Sequence, residues 1–338
     1  MKQPFYQLQQ LLYFTRYQSI FKSVNFIKLI LSYLFSRKHL HNILNIHPLF
    51  ISVEVTDFCN LNCPECPVGN GSISKTKNSL FNFKLYEKLI NELKPTLQHV
   101  ILYFQGEPFL NNQLIKFIEY THDAGIYTST STNGQFLNEN IAKNIVLSGL
   151  DKLIVSIDGS TQQIYETYRV GGQLQKALDG ITSLVEWKKT LKSTTPFIEI
   201  QFLVLKTNEH QMNEMKQLSK SLGADRLIFK SAQLYDFENG NNLLTTINRY
   251  ARYKKNKDGK FDIKGRQSNS CWRLWSGAVI NVRGEVLPCC FDKSSEHSFG
   301  NIHENTFKNC WQSNKASAFR SNILKNRTQF EMCRNCTN

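Results

Sequence analysis

Between residues 51 and 231 the sequence alternates six times between short apolar, β-branched runs and longer runs with apolar residues at helical spacing. The strand-like runs are Ile51–Thr56, His99–Gln105, Tyr127–Ser131, Lys152–Ile157, Phe197–Leu205 and Arg226–Lys230. The helical runs are Phe83–Leu93, Asn112–Ala124, Glu139–Ser148, Leu174–Lys189 and His210–Leu222, with Gly125, Gly149 and Gly223 where helices should stop. Strands that alternate with helices demand a parallel sheet covered by helices on its outer face. Six strands are two short of a closed eight-fold barrel. The expected α/β fold is therefore a partial (β/α)6 barrel.

The flanks differ from this core. Residues 1–50 hold six Lys or Arg, three His and no Asp or Glu. Leu11, Leu12, Phe14, Ile20, Phe21, Val24, Ile27, Ile30, Leu31 and Leu34 recur at helical spacing. This predicts a basic amphipathic helical extension, read either as a cap over the barrel's open end or as a contact with an anionic membrane through residues 1–45. Val24–Phe35, broken by Lys28, is too short to span a bilayer. Residues 232–270, rich in Asn, Lys, Asp and Gly, read as a linker. Residues 271–338 form a small cysteine-bearing module with a hairpin over Val279–Leu287 turning at Arg283-Gly284. The formal net charge of +14 suits polyanionic partners, but no basic groove with interleaved aromatics is visible, so nucleic acid is not expected.

Nine cysteines cluster in a chain whose start, Met-Lys-Gln-Pro, shows no apolar signal core. A cytoplasmic location is expected, where clustered thiols favour metal over disulfides. Cys59, Cys63 and Cys66, spaced C-x3-C-x2-C, directly follow the first barrel strand. Three thiolates on a tight loop can hold three irons of a four-iron cluster and leave one iron open to a small molecule. Loops at the carboxyl ends of barrel strands are where such chemistry is housed.

The segment Cys59-Asn-Leu-Asn-Cys63-Pro-Glu-Cys66 resembles the signature of the radical S-adenosylmethionine (SAM) superfamily. The resemblance implies a [4Fe-4S] cluster on these cysteines, SAM on its open iron, and release of a 5′-deoxyadenosyl radical that takes a hydrogen atom from substrate. It also implies a reductant such as flavodoxin or ferredoxin. Gly106-Glu107-Pro108 resembles the family segment that receives the SAM ammonium, where a carboxylate or carbonyl acceptor is required. Ser131 and Asn133 at the third strand end, and Ser156 and Asp158 at the fourth, fit small polar contacts to cofactor or substrate. Arg169, in Tyr168-Arg169-Val170-Gly171-Gly172, suits the cofactor carboxylate. Glu65 stands where the family often has an aromatic residue beside the adenine, which leaves Phe58 or Tyr103 for that packing.

Cys271, Cys289, Cys333 and Cys336 supply four thiolates, enough to close a second cluster. Their surroundings resemble the SPASM/twitch module of the same superfamily: Trp272, Gly-Glu-Val-Leu-Pro after Arg283, Gly300-Asn301-Ile302 and Trp311. That resemblance implies a second, auxiliary [4Fe-4S] cluster, with Cys289 preferred over Cys290 because it follows Pro288. Cys290 and Cys310 are read as free thiols. The same thiolate spacing also suits zinc.

The leading functional expectation is an oxidoreductase that dehydrogenates a small polar, sugar-like substrate, with the auxiliary cluster accepting an electron. Asp158 and Asp292 are the candidate proton acceptors. Peptide maturation is the second expectation. A non-catalytic, zinc-stabilised protein at a membrane surface is the reading from another class.

Overall fold

A computed structural model describes residues 17–39, 46–73, 79–265 and 267–337. The six expected strands are present: β1 (Phe50–Val53), β2 (His99–Ile101), β3 (Tyr127–Thr132), β4 (Lys152–Ser156), β5 (Phe197–Val204) and β6 (Arg226–Ser231). They pair in parallel in chain order. Helices cover the outer face. The helix Phe83–Leu93 buries Phe83, Tyr86, Leu89, Ile90 and Leu93, the stripe its periodicity requires, and Asn82 caps it by accepting from the Leu85 N–H.

The sheet has eight strands rather than six. The C-terminal hairpin, β9 (Gly277–Ile280) and β10 (Val286–Leu287), adds to the free side of β1. Strand β9 runs parallel to β1 with Ile51 opposite Ala278. The hairpin of the expected cysteine-bearing module thus extends the barrel sheet. Gly277 is forced by this pairing: a Cβ there would lie 2.1 Å from the Phe50 ring.

Residues 232–270 are also more than a linker. They form a hairpin, β7 (Tyr253–Lys255) with β8 (Phe261–Ile263), and they bury Ala232, Leu234 and Tyr253 over the cysteine loop that follows β1. The N-terminal helix Ile20–His39 lies under the amino ends of the strands, with Lys22 bonded to the Gly125 carbonyl at 2.6 Å and Asn25 to the His47 carbonyl at 3.1 Å. It does not cover the carboxyl ends of the strands. The expected helical run through Leu11, Leu12 and Phe14 lies outside the described residues. Above this helix the barrel floor is polar. Glu199 pairs with Lys152 at 3.0 Å and with Arg226, and His99 bonds Ser129 at 2.7 Å.

Glu54 fastens β1 to the hairpin. Its N–H donates to the Ile280 carbonyl at 2.8 Å, and its carboxylate accepts from the Val282 N–H at 2.9 Å. The second carboxylate oxygen has no partner among the described residues. Burial raises the Glu54 pKa to about 7 against the bond from Val282. A carboxyl raised on folding adds stability that is whole below its unfolded pKa and is lost as pH climbs through the folded value. A shift of this size is worth roughly 3 kcal/mol. Relative to wild type, Glu54→Gln should therefore gain stability by about that amount between pH 5 and 8, read by urea unfolding at the two pH values. A difference that does not change with pH would remove this role.

Candidate active site

Cys59, Cys63 and Cys66 sit on one compact loop beyond β1. The Cys66 N–H donates to the Cys63 carbonyl at 3.1 Å, and the Asn70 N–H to the Cys66 carbonyl at 2.8 Å. Gly69 allows the return path, since a Cβ there would stand 2.7 Å from the Cys63 backbone. Neighbouring strand ends brace the loop. Gly106, at φ +68, passes so close that a Cβ would lie 2.4 Å from the Thr56 carbonyl oxygen. The Glu107 N–H donates to the Phe58 carbonyl at 2.7 Å, and the Asn62 N–H to the Val170 carbonyl at 3.1 Å. The expected residues Gly106, Asn133 and Arg169 are thereby gathered around the three cysteines. Asn133 Nδ2 donates to Asn60 Oδ1 at 2.8 Å and lies 3.9 Å from Cys59 Sγ. Arg169 Nη1 lies 4.0 Å from Cys63 Sγ.

Glu107 is almost fully enclosed. Its carboxylate accepts from Thr132 Oγ1 and the Asn133 N–H, each at 2.7 Å, and from the Phe109 N–H at 3.2 Å. A carboxylate has about four acceptor positions, and three are taken here. Burial raises its pKa to about 7 despite these donors. Pro108 opens the short turn that Glu107 caps. Ser131 is half-buried and Ser156 buried, at the carboxyl ends of β3 and β4.

Asp158 has both carboxylate oxygens occupied in this arrangement. It is fully buried, and its two oxygens accept from Arg169 Nε and the Leu203 N–H, each at 2.6 Å. It holds the Arg169 guanidinium beside Cys63. Glu65 is a tether. Its carboxylate accepts from the Tyr235 N–H at 2.9 Å and from Asn241 Nδ2 at 3.1 Å, tying the cysteine loop to the segment that leads into β7. Phe58 and Tyr103 are both half-buried.

The other four cysteines meet in space. Cys271, Cys289, Cys333 and Cys336 line one small cavity, together with Phe291, Met332 and Arg327. Cys290 faces Phe104, Val279 and Leu287 instead. Cys310 packs in the core against Gly300, where a Cβ would lie 2.9 Å from its sulfur. Gln267 Nε2 donates to the carbonyls of Cys333, Arg334 and Cys336 at 3.1, 2.8 and 2.8 Å and so shapes the last cysteine turn. Sequence reasoning missed Gln267 and Arg327; a lone Gln in a polar stretch and a lone Arg before a C-x2-C pair carry no local signal.

The donor chemistry fits iron–sulfur clusters. All nine thiols are free, and burial pushes Cys59 up to about 12, so a bound cation must supply the charge that makes thiolates here. Among the described residues no three His, Cys, Asp or Glu side chains converge on a single ion. One zinc would draw four sulfurs to about 2.3 Å of one point, whereas a four-iron cube holds them further apart.

A second, larger cavity, with about 990 Å³ of unfilled space including its mouth, adjoins the four-cysteine cavity and shares Phe291 and Met332 with it. Tyr235, anchored to Glu65 beside Cys66, lines its other side. Gln233, Lys293, His297 and Asn335 add polar groups to a lining that also presents Phe237, Phe291 and Met332. Asp292 lines it too, but its oxygens accept from the Glu296 and His297 N–H groups at 2.9 and 3.0 Å, which makes it a turn clamp first.

Two family models match the chain. One, the Radical SAM superfamily, covers residues 53–199, and the other, the SPASM iron–sulfur cluster-binding domain, covers residues 271–337. An AdoMet-dependent heme synthase of Methanosarcina barkeri is 29% identical over 178 residues, 52% of this chain and 48% of the relative. The chain thus spans about half the length of that relative. A tungsten-containing aldehyde ferredoxin oxidoreductase cofactor-modifying protein of Pyrococcus furiosus is 22% identical over 320 residues, 85% of this chain and 87% of the relative. Among solved structures, BtrN in complex with AdoMet and 2-DOIA superposes with a TM-score of 0.52 at 21% identity, over 87% of this chain and 95% of that one. SuiB of Streptococcus suis bound to its precursor peptide SuiA gives 0.64 at 14% identity, over 90% and 77%. At these identities the solved structures share the fold.

Proposed function

Because this chain belongs to the radical SAM superfamily and carries a SPASM iron–sulfur domain, we propose that it oxidises a small polar substrate held in the cavity between its two cysteine sites. The observation that carries this reading is the position of that cavity, bounded by Tyr235 beside the first cysteine loop and by Phe291 and Met332 beside the second. In this reading Cys59, Cys63 and Cys66 hold the cluster that binds SAM, and Cys271, Cys289, Cys333 and Cys336 hold the auxiliary one. When bound, SAM and the clusters supply a 5′-deoxyadenosyl radical that removes a hydrogen atom and an acceptor for the electron left on the substrate.

The protein's part is placement and proton handling. Glu107 offers its remaining acceptor direction to the SAM ammonium, and Arg169, held by Asp158, presents a guanidinium to a carboxylate. Asn133 and Ser156 line the strand ends around them. Hydroxyl and amine groups on the substrate suit the Gln233 and Lys293 side chains. The proton released on oxidation goes to His297, whose ring rests against Phe319 and Phe330 and lines the cavity.

Filling the cavity tests the assignment. Gln233→Trp should lower kcat/KM for the substrate on the order of 100-fold, measured by product formation in anaerobic turnover with sugar-like alcohols. An unchanged kcat/KM would place the substrate elsewhere. Turnover of peptides but not of small alcohols by the wild type would move the assignment to peptide modification, the kind of substrate bound in the SuiB–SuiA structure.

A further inference from the structure

The N-terminal helix Ile20–His39 is mounted with its polar side inward. A helix lying on a globular body in water ordinarily turns its apolar stripe to the body. Here the residues it buries are Lys22, Asn25, Leu29, Ser32 and Ser36, four of the five polar. Hydrogen bonds hold that side: Lys22 Nζ to the Gly125 carbonyl at 2.6 Å, and Asn25 to both the carbonyl and the N–H of His47 at 3.1 and 3.3 Å. Leu29 enters the core, and Tyr33 sets its ring edge-on to Trp272 and Trp275 at 5.1 and 5.4 Å. The attachment is therefore specific, and it fixes which face points out.

The outward face is apolar. Ile20, Val24, Ile27, Leu31 and Leu34 follow one another at i, i+4, i+7, i+11 and i+14, directly opposite the buried side, with Phe35 beside them. Ile20 is 75% exposed, Ile27 57% and Leu34 52%. A continuous apolar stripe of this length left in water marks a surface that something covers. Charge identifies the occupant. Lys28, Arg37 and Lys38 flank the stripe, and residues 1–50 contain six Lys or Arg with no Asp or Glu. An apolar stripe with cationic margins is the pattern of a helix lying in the headgroup region of an anionic bilayer. Among the described residues no helix is long and apolar enough to cross a membrane.

We infer that the Ile20–His39 helix docks this protein on an anionic lipid surface through its Ile20–Leu34 stripe. The helix sits under the amino ends of the strands, next to Gly125 and His47, whereas the cysteine loop and the cavity lie at the carboxyl ends. A protein bound this way keeps its cavity open to water, so docking positions it at a surface without requiring a lipid substrate.

The test uses the full chain and vesicle flotation. Vesicles of 70% phosphatidylcholine and 30% phosphatidylglycerol should retain the wild type at least roughly tenfold better than phosphatidylcholine alone, and the binding should weaken as salt rises. The triple variant Ile27→Glu, Leu31→Glu, Leu34→Glu should lose that binding while keeping its helix content and iron load, since all three side chains point to solvent. As a milder probe, Leu34→Trp should show a blue-shifted emission on the anionic vesicles only. Equal retention of the triple variant, or a Leu34→Trp emission that the vesicles do not move, overturns the inference. So does a wild type that ignores the vesicles and sediments as a dimer that the triple variant breaks, because a second copy would then cover the stripe. Vesicle binding that appears only after residues 1–16 are deleted likewise overturns it, since the chain's own start would be the occupant.

Discussion

Replacing Cys59, Cys63 and Cys66 together by Ala should abolish formation of 5′-deoxyadenosine and halve the iron of the reconstituted protein, from about eight to about four atoms per chain. The argument is geometric. The three thiols share a loop that is closed by the Cys66–Cys63 and Asn70–Cys66 backbone bonds and braced by Gly106, Glu107 and Val170. None of those braces uses a cysteine side chain, so the loop should keep its course when the sulfurs are gone. The four-cysteine cavity is built from other segments and keeps its iron. The expected result is a brown, folded protein that no longer cleaves SAM under reducing conditions. Residual 5′-deoxyadenosine above the metal-free background would take the first site away from these residues. Loss of all eight irons would show instead that the two sites fold as one.

The barrel is legible in the sequence because its signals are local. The helix Phe83–Leu93 begins and ends where its apolar period and its Asn82 cap place it. Asn133 and Ser156 can be named from the strand ends that carry them, whereas Gly106 and Arg169, which caps the helix Gln162–Tyr168, are reached through the family resemblance. What periodicity does not encode is the neighbour. Val279–Leu287 reads as a hairpin in the sequence, but nothing in it says that its first strand, Gly277–Ile280, joins β1 and enlarges the sheet.

The same limit applies to orientation. The Ile20–Leu34 stripe is visible in the sequence as a stripe, and only the contacts of Lys22 and Asn25 show that it faces away from the body. The partners of Asp158 are hidden for a related reason. A carboxylate at a strand end looks available until Arg169 and the Leu203 N–H are found on its two oxygens. Glu65 departs from the family pattern with no purpose visible in its own segment, and its partner lies 170 residues away at Tyr235.

The second large effect is expected at the other end of the cavity. Cys333→Ala with Cys336→Ala removes two of the four sulfurs around the cavity shared with Phe291 and Met332. Substrate oxidation should fall by more than roughly 100-fold, since even a residue behind a metal ligand commonly costs 10- to 100-fold. Cleavage of SAM at the first site should persist, because that loop shares no hydrogen bond with the C-terminal turn among the described residues. Arg327 gives a graded version of the same experiment. Its guanidinium is buried, donates to the Ser268 carbonyl at 3.2 Å and lines the cavity with the four cysteines. A positive charge so close to a thiolate-bound cluster favours the reduced, more negative state. Arg327→Gln should therefore shift the auxiliary cluster to a lower potential, seen in an anaerobic redox titration, and slow oxidation without stopping it. If the double cysteine variant still completes oxidation at the wild-type rate, the electron leaves the substrate by some route other than these four sulfurs. The cavity between the two sites would then have lost the reason for its position.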